Sequence, residues 1–351
     1  MPLTFKVLLC ALLAVVLAIG ALLFIRPGHG GGPTVVVYTS VDWEFAEPLF
    51  KQFTKATGIE VLGRPDDEAS KTTAMVMRLQ QMKDNPDGDV FWNSEQSFSE
   101  ILAGQGVLEP YASPQARDIP AEYKDAQNRW TGFGCRVRVL IYNTERVKRD
   151  EVPRTLEGLA DPRWKGRCAI AKPIYGTTRS HLVALVVVLG EEKGFKLFRA
   201  WRANGLVVAE SCGDVRNRVA DGRSDLGLVD NDDVFEAMDR HKPVDFIIPD
   251  QTREWPGAFL IPNTAGILNH CPHPKEARAF IDYLLRPETE IWLAEHGAQQ
   301  IPVRPLAAKL PEALRNLKPA EFKSPEQRAA VAEQLIPLGK RIYRVLSGEE
   351  E

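Results

Sequence analysis

Thr34-Val-Val-Val-Tyr38, followed by Thr39, Ser40 and Asp42 and then by a helical stretch over residues 44–57, is the segment that decides the fold. A short run rich in β-branched residues and bounded by hydroxyls reads as a buried strand, and the Gly58 that follows the helical stretch reads as its stop. The same pattern repeats immediately. Residues 59–62 read as a second strand, 70–83 as a helix with Met75, Leu79 and Met82 on its apolar face, and 89–92 as a third strand. This β-α-β-α-β order predicts an α/β lobe. Its parallel sheet is flanked by helices, and the loops at the carboxyl ends of the strands are free to hold a ligand.

Toward the C-terminus, a long strand over 136–142 follows what reads as a glycine-rich turn at Gly132 and Gly134, and the alternation then restarts. Strands are expected at 168–171, 206–209, 226–229 and 246–248, and helices at 178–189, 193–204, 214–221 and 233–241. Residues 259–268 read as a strand interrupted by Pro262, which suits an edge or a crossover and not a central position. We take it as the return to the first lobe. Helices at 274–285 and 288–296 and a proline-punctuated helical tail over 307–346 complete the chain. The expected division is 1–32 as a targeting segment and linker, 33–145 with 258–305 as a discontinuous first lobe, 146–257 as the second lobe, and 306–351 as a tail packed on both.

In the other direction, Lys6 precedes an uncharged run over residues 7–25, and Arg26, Pro27 and the Gly28 to Gly32 stretch form the exit. The run fits either a signal peptide or an uncleaved N-terminal anchor, and both imply a periplasmic or other extracytoplasmic domain. Cys10 lies too near the start for lipidation and reads as a membrane-embedded thiol. Export permits disulfides among Cys135, Cys168, Cys212 and Cys271, but no C-x-x-C spacing is present, so free thiols or a disulfide outweigh a metal site. The 351 residues are 44% hydrophobic and 26% charged, enough for two real cores. A net charge of -3 provides no field for nucleic acid or an anionic membrane surface.

Several groups of residues could carry chemistry. Asp230-Asn-Asp-Asp233 directly follows an apolar strand and crowds carboxylates at its carboxyl end, although Asp232 and Asp233 also suit the cap and first turn of a helix. Gly176, Thr177 and Thr178 precede a helix whose free N-terminal amides would suit a phosphate, carboxylate or carbonate, with Arg179 as charge support; simple capping is the plainer explanation. Thr39, Ser40 and Asp42 in the first strand-to-helix turn are caps or ligands, and Glu95 is a solvated loop residue or a ligand. Their interest is joint, because these strand ends would face one cleft. Asp67, Glu68, Ser70 and Lys71 read first as capping residues. His270 and His273 read as a surface turn, and Trp255, Pro256 and Gly257 as a turn that could serve as a lid or hinge.

Taken in order, V-V-V-Y-T-S-V-D, Thr54-Lys-Ala-Thr-Gly-Ile-Glu-Val61, Asp89-Val-Phe-Trp92 with Glu95, Arg138-Val-Leu-Ile-Tyr-Asn143, Pro162-Arg-Trp-Lys-Gly166 and Leu228-Val-Asp-Asn-Asp-Asp233 resemble the periplasmic ferric-iron-binding proteins of ABC importers, in the extracellular solute-binding family 1. The resemblance implies a two-lobed type II periplasmic-binding fold that closes on its ligand, a monomer, and permease and ATPase subunits as partners. It implies no catalytic cofactor, with Fe(III) as cargo. The family's iron histidine, glutamate and tyrosine pair fall here on Asp42, on Glu95, and on Asp232 and Asp233, and its synergistic anion on Gly176 to Thr178. Carboxylates in place of phenolates also accept other cations or hydroxyl-bearing solutes, so a phosphorylated or other anionic organic solute is the alternative cargo. An enzyme is not expected, because G-x-S-x-G, H-E-x-x-H, P-loop and Rossmann fingerprints are missing. A metal-dependent hydrolase built on the Asp230 to Asp233 cluster and a membrane-tethered sensor are the competing classes.

Overall fold

The first strand, β1 (Thr34–Thr39), pairs in parallel with β2 (Glu60–Pro65) on one side and β3 (Val90–Asn93) on the other. This is a computed structural model, and it describes residues 32–350 except 67–71, 253–255, 298 and 321–324. The expected signal or anchor, Cys10, Trp255 and the Asp67, Glu68, Ser70 and Lys71 group therefore lie outside the described residues. Helix α1 (Trp43–Thr57) buries Ala46, Leu49, Phe50 and Phe53 on the face toward the sheet and ends at Gly58, whose φ of 73° lets its amide donate to the Thr54 carbonyl. Helices α2 (Thr73–Gln81) and α3 (Gln96–Gly104) follow, and then the short β4 (Leu108–Glu109).

A second parallel trio, β7 (Val207–Ala209), β6 (Cys168–Ala171) and β8 (Leu226–Asp230), repeats the design with α4 (Gly176–Leu189), α5 (Glu191–Ala203), α6 (Cys212–Ala220) and α7 (Asn231–Asp239). Two long strands join the trios. β5 (Thr131–Asn143) is buried along its whole length. Its first half pairs with β10 (Leu260–Leu268), and its second half with β8 and with β9 (Val244–Ile247), so one strand passes from one sheet into the other. The strand order is β2-β1-β3-β10-β5-β8-β6-β7.

Two expectations are corrected here. Gly132 and Gly134 are not a turn but lie inside β5. A Cβ on Gly132 would come a tight 3.1 Å from the Tyr123 carbonyl oxygen, and Gly134 has a φ of 50°, a left-handed conformation that favours glycine, so both serve close approach within the sheet. The strand containing Pro262 is central and not an edge, with β3 and β5 on either side. Proline is tolerated because the register shifts between Pro262 and Asn263, where the Asn263 side chain donates to the Gly134 carbonyl across 2.7 Å.

One apolar core fills the first lobe, from Val35 through Phe133 to Leu293, and two more flank the second sheet. Helices α8 (Pro274–Leu284) and α9 (Pro287–Glu295) belong to the first lobe. After α10 (Glu312–Arg315) comes α11 (Pro325–Ser347), which serves both lobes: Leu335 enters the first core, while Ile342, Val345 and Leu346 enter the second.

Candidate functional site

Where the carboxyl ends of both parallel trios turn toward each other, a cleft of about 1140 Å³ opens between them. Its walls are the amino-terminal ends of four helices: α1 from the first lobe, and α4, α6 and α7 from the second. This follows from the topology, since each parallel strand hands its chain to a helix at the same end of the sheet.

The floor is a buried ionic network on β5. Arg136 and Arg138 are two residues apart and therefore project from one face of the strand. Arg138 donates to Asp230 Oδ1 at 2.8 Å, to the Thr177 and Thr178 hydroxyls, each at 3.2 Å, and to the Leu228 carbonyl at 3.1 Å. Arg136 donates across the lobe boundary to Asp230 Oδ2 at 3.3 Å and, within the first lobe, to the Ser94 carbonyl at 2.6 Å. Thr177 completes the set by donating to Asp230 Oδ2 at 2.7 Å. Burial pushes the Asp230 carboxyl upward, but Arg138 and Arg136 outweigh it and hold the group below the usual carboxylate range.

Asp232 is buried and differently placed. Its Oδ1 accepts from the Asp233 amide at 3.1 Å, and Arg136 stands 3.7 Å from Oδ2. Burial raises this carboxyl well above its ordinary range; Arg136 opposes the rise, and Asp230, Asp233 and Asp42 reinforce it. Asp233 is raised to about 6, by burial first and then by Asp230. Its Oδ2 accepts from the Asp230 amide in a reciprocal capping box, so α7 is capped by Asp230 and Asp233, and Asp232 is the acid left for the cleft. Across the gap, Asp42 occupies the N-cap position of α1 without making a side-chain cap, and it is exposed to the cleft.

Ser40, Asp42, Gly176, Thr177, Thr178, Asp230, Asp232 and Asp233 line one cavity. Two expected members do not. Thr39 is fully buried and its hydroxyl accepts from the Val41 amide at 3.1 Å. Glu95 is 2% exposed and caps α3, accepting from the Ser97 and Phe98 amides and, at 3.0 Å, from the Ser180 hydroxyl of the second lobe. Its oxygens are occupied behind the cleft, so in this arrangement it does not share a cavity with Asp42. Arg179 also departs from its expected role: it is buried, donates to the Ile174 carbonyl and lies 4.8 Å over the Phe98 ring.

Arg136, Arg138, Lys172, Tyr175 and Arg216 escaped the sequence reading. Arginines at alternate positions of an otherwise apolar strand were the available signal, because two like charges on one buried face require carboxylate partners. The thiols at Cys135, Cys168, Cys212 and Cys271 are all free, and Cys212 alone of them lines the cleft, 3.4 Å from Arg138. His273 is engaged by the buried Asp89 through its amide at 2.7 Å and its ring at 3.0 Å, which removes it from any metal cluster with His270.

Two α/β lobes joined through the shared strand β5, with a polar cleft between the ends of their parallel sheets, define a two-lobed solute-binding protein. The chain belongs to the bacterial extracellular solute-binding proteins, whose family profile matches residues 86–329. Over 301 residues it is 26% identical to iron uptake protein A1 of Synechocystis sp., covering 82% of this chain and 80% of that one. Over 285 residues it is 25% identical to the Fe(3+)-binding periplasmic protein of Serratia marcescens, covering 79% and 81%. Iron-bound HitA from Pseudomonas aeruginosa shares the fold with a TM-score of 0.77 and 21% identity, over 88% of this chain and 99% of that one. AfuA from Actinobacillus pleuropneumoniae, solved with fructose-6-phosphate, shares it at 0.74 and 20%, over 89% and 99%.

Proposed function

We propose that this chain is the extracytoplasmic receptor of an ABC importer, capturing ferric iron together with an oxyanion between its lobes and presenting it to permease and ATPase subunits. The observation that carries this reading is the charge of the cleft: nine carboxylate side chains line it against three cationic ones. Lys172 is spent on Glu210, Arg216 on Glu236 and Arg136 largely on Asp230, so Asp42 and Asp232 remain as oxygen donors on opposite walls. Hard oxygen donors suit a small, highly charged cation. Arg136, 3.7 Å from Asp232, would repel a bare trivalent ion, and an oxyanion seated between the two offsets that repulsion. The first turn of α4 suits the anion: Tyr175 at its N-cap makes no side-chain cap, and Thr177 and Thr178 spend their hydroxyls on Arg138 and Asp230. The names of the curated relatives, iron uptake and Fe(3+)-binding proteins, agree with iron as cargo.

In this reading the lobes are residues 33–145 with 258–305 and residues 146–257, they close about β5 and β10, and the receptor is a monomer held at or released from the membrane by residues 7–25. A second reading, a phosphorylated or other anionic organic solute without metal, is favoured by the same Arg136 and α4 amides and by the single phenol, Tyr175, among the residues lining the cleft. Native mass spectrometry with elemental analysis of the protein isolated from its own host separates the two. Stoichiometric iron lost on Asp42→Asn with Asp232→Asn supports the first. An organic phosphate with no metal supports the second, and turnover of a phosphate ester would overturn both.

A further inference from the structure

Trp43 is out of keeping with its surroundings. In a cleft lined mainly by charged and polar groups, this indole stands 40% exposed, and of the large apolar side chains exposed among the described residues it is the one on the cleft wall. Its position is built. It opens α1 on the same helical face as Ala46 and Phe50, so it reaches over β2, where Phe50 meets it edge-on with ring centroids 5.8 Å apart. The strand accommodates it with glycine. A Cβ at Gly63 would fall 2.8 Å from Cη2 and 2.9 Å from Cζ3 of the indole, and 2.7 Å from Phe50. One end of the ring is thereby clamped while the rest is left open to the cleft, beside the uncommitted carboxylate of Asp42.

We propose that Trp43 is a specificity-determining residue: its indole takes the carbon skeleton of an organic oxyanion, whose hydroxyls reach Asp42 and whose charged end reaches Arg136 and the first turn of α4. The cargo is then a chelate or ester with a carbon face, and not an ion accompanied only by an inorganic anion. The inference rests on the reading of this cleft as the solute site. An exposed aromatic ring gains from C–H groups packed on its face, whereas an inorganic ferric complex turns only oxygen atoms and water outward and gains nothing from indole. Desolvating such a complex against Trp43 would cost affinity.

The test uses the full chain, unaltered and as Trp43→Ala and Gly63→Ala, with thermal melting to confirm folding and calorimetric titration against three probes: ferric citrate, fructose 6-phosphate, and ferric ion with inorganic phosphate. Trp43→Ala should weaken whichever organic probe binds by about threefold to tenfold and leave ferric phosphate within about twofold. Gly63→Ala, which keeps the indole but displaces it, should act in the same direction. Equal loss on all probes would make Trp43 a lobe-closure contact and overturn the proposal, as would no loss on any. The outcomes also separate the two readings of the cleft. Metal-free fructose 6-phosphate binding that depends on Trp43 upholds the proposal and removes iron, while binding of ferric phosphate with neither organic probe bound keeps iron and overturns the proposal. Failure of the unaltered chain to bind any probe overturns both.

Discussion

At the scale of single residues, the buried charges set the strongest expectations. Arg138 is 1% exposed and holds Asp230 through a 2.8 Å contact. Arg138→Met should therefore cost about 3–5 kcal/mol in urea unfolding, because the partner is left as a poorly compensated buried carboxylate; a loss below about 1 kcal/mol would contradict this account. Asp230 is held below its ordinary range, so the contribution of the network is complete at neutral pH and fades as pH falls through the acid range. Asp250 behaves oppositely. It is buried in the left-handed region at φ 62°, accepts from the Leu156 amide at 3.0 Å, and is raised to about 7, by burial first, with Glu157 adding to the rise. Its proton stays on in the folded chain after the unfolded chain has released it, so this site loses stability as pH rises from 3.8 to about 7. Asp250→Asn keeps the acceptor and tolerates the backbone. Melting temperatures should show the variant matching the parent at low pH and pulling ahead through that window, and parallel profiles would refute the assignment.

At the scale of elements, two acids at helix starts do different work. Glu95 satisfies the first turn of α3, whereas Asp42 leaves the first turn of α1 uncapped and faces the cleft. Glu95→Ala should lower stability by about 0.5–2 kcal/mol, the ordinary value of an N-cap, while ligand affinity stays within about twofold. Asp42→Asn should do the reverse, with affinity falling about tenfold or more and the melting temperature of the empty protein unmoved, since the side chain makes no cap. Chemical denaturation and calorimetry on both variants check the pair, and loss of binding in Glu95→Ala would return that residue to the site. The difference was hidden in the sequence because both positions read as an acid just after a strand. Only the rotamer, and in Glu95 the Ser180 hydroxyl brought from the other lobe, separates a cap from a ligand.

At the scale of the whole molecule, β5 is the strand that passes from one sheet into the other, β10 lies beside its first half, and α11 contributes to both cores. Closure has to be accommodated in these elements. Ligand addition should shrink the radius of gyration measured by small-angle scattering, and Asp42→Asn combined with Asp232→Asn should abolish the change; an unchanged radius with saturating ligand would sink the closing mechanism. Contacts that tie the lobes in the present arrangement include Arg136 to Asp230, Asn231 to the Gln299 carbonyl and Ser180 to Glu95.

The fold was legible in the sequence because its signals are local. Strands such as β1 and β8 are short apolar runs, α1 and α8 carry helical periodicity, and the alternation between them leads to a parallel sheet with a ligand edge. The acids at the cleft were legible for the same reason, since Asp42 and Asp230 to Asp233 directly follow strands. Gly132, Gly134 and Pro262 misled because glycine and proline report backbone freedom, and the central crossover used that freedom for close approach and a register shift instead of a turn or an edge. Whether a given acid meets an arginine, an amide or open space depends on atoms tens or hundreds of residues away. Thus the pairing of Arg136 and Arg138 with Asp230, the withdrawal of Glu95 and the exposure of Trp43 were decided by tertiary structure alone.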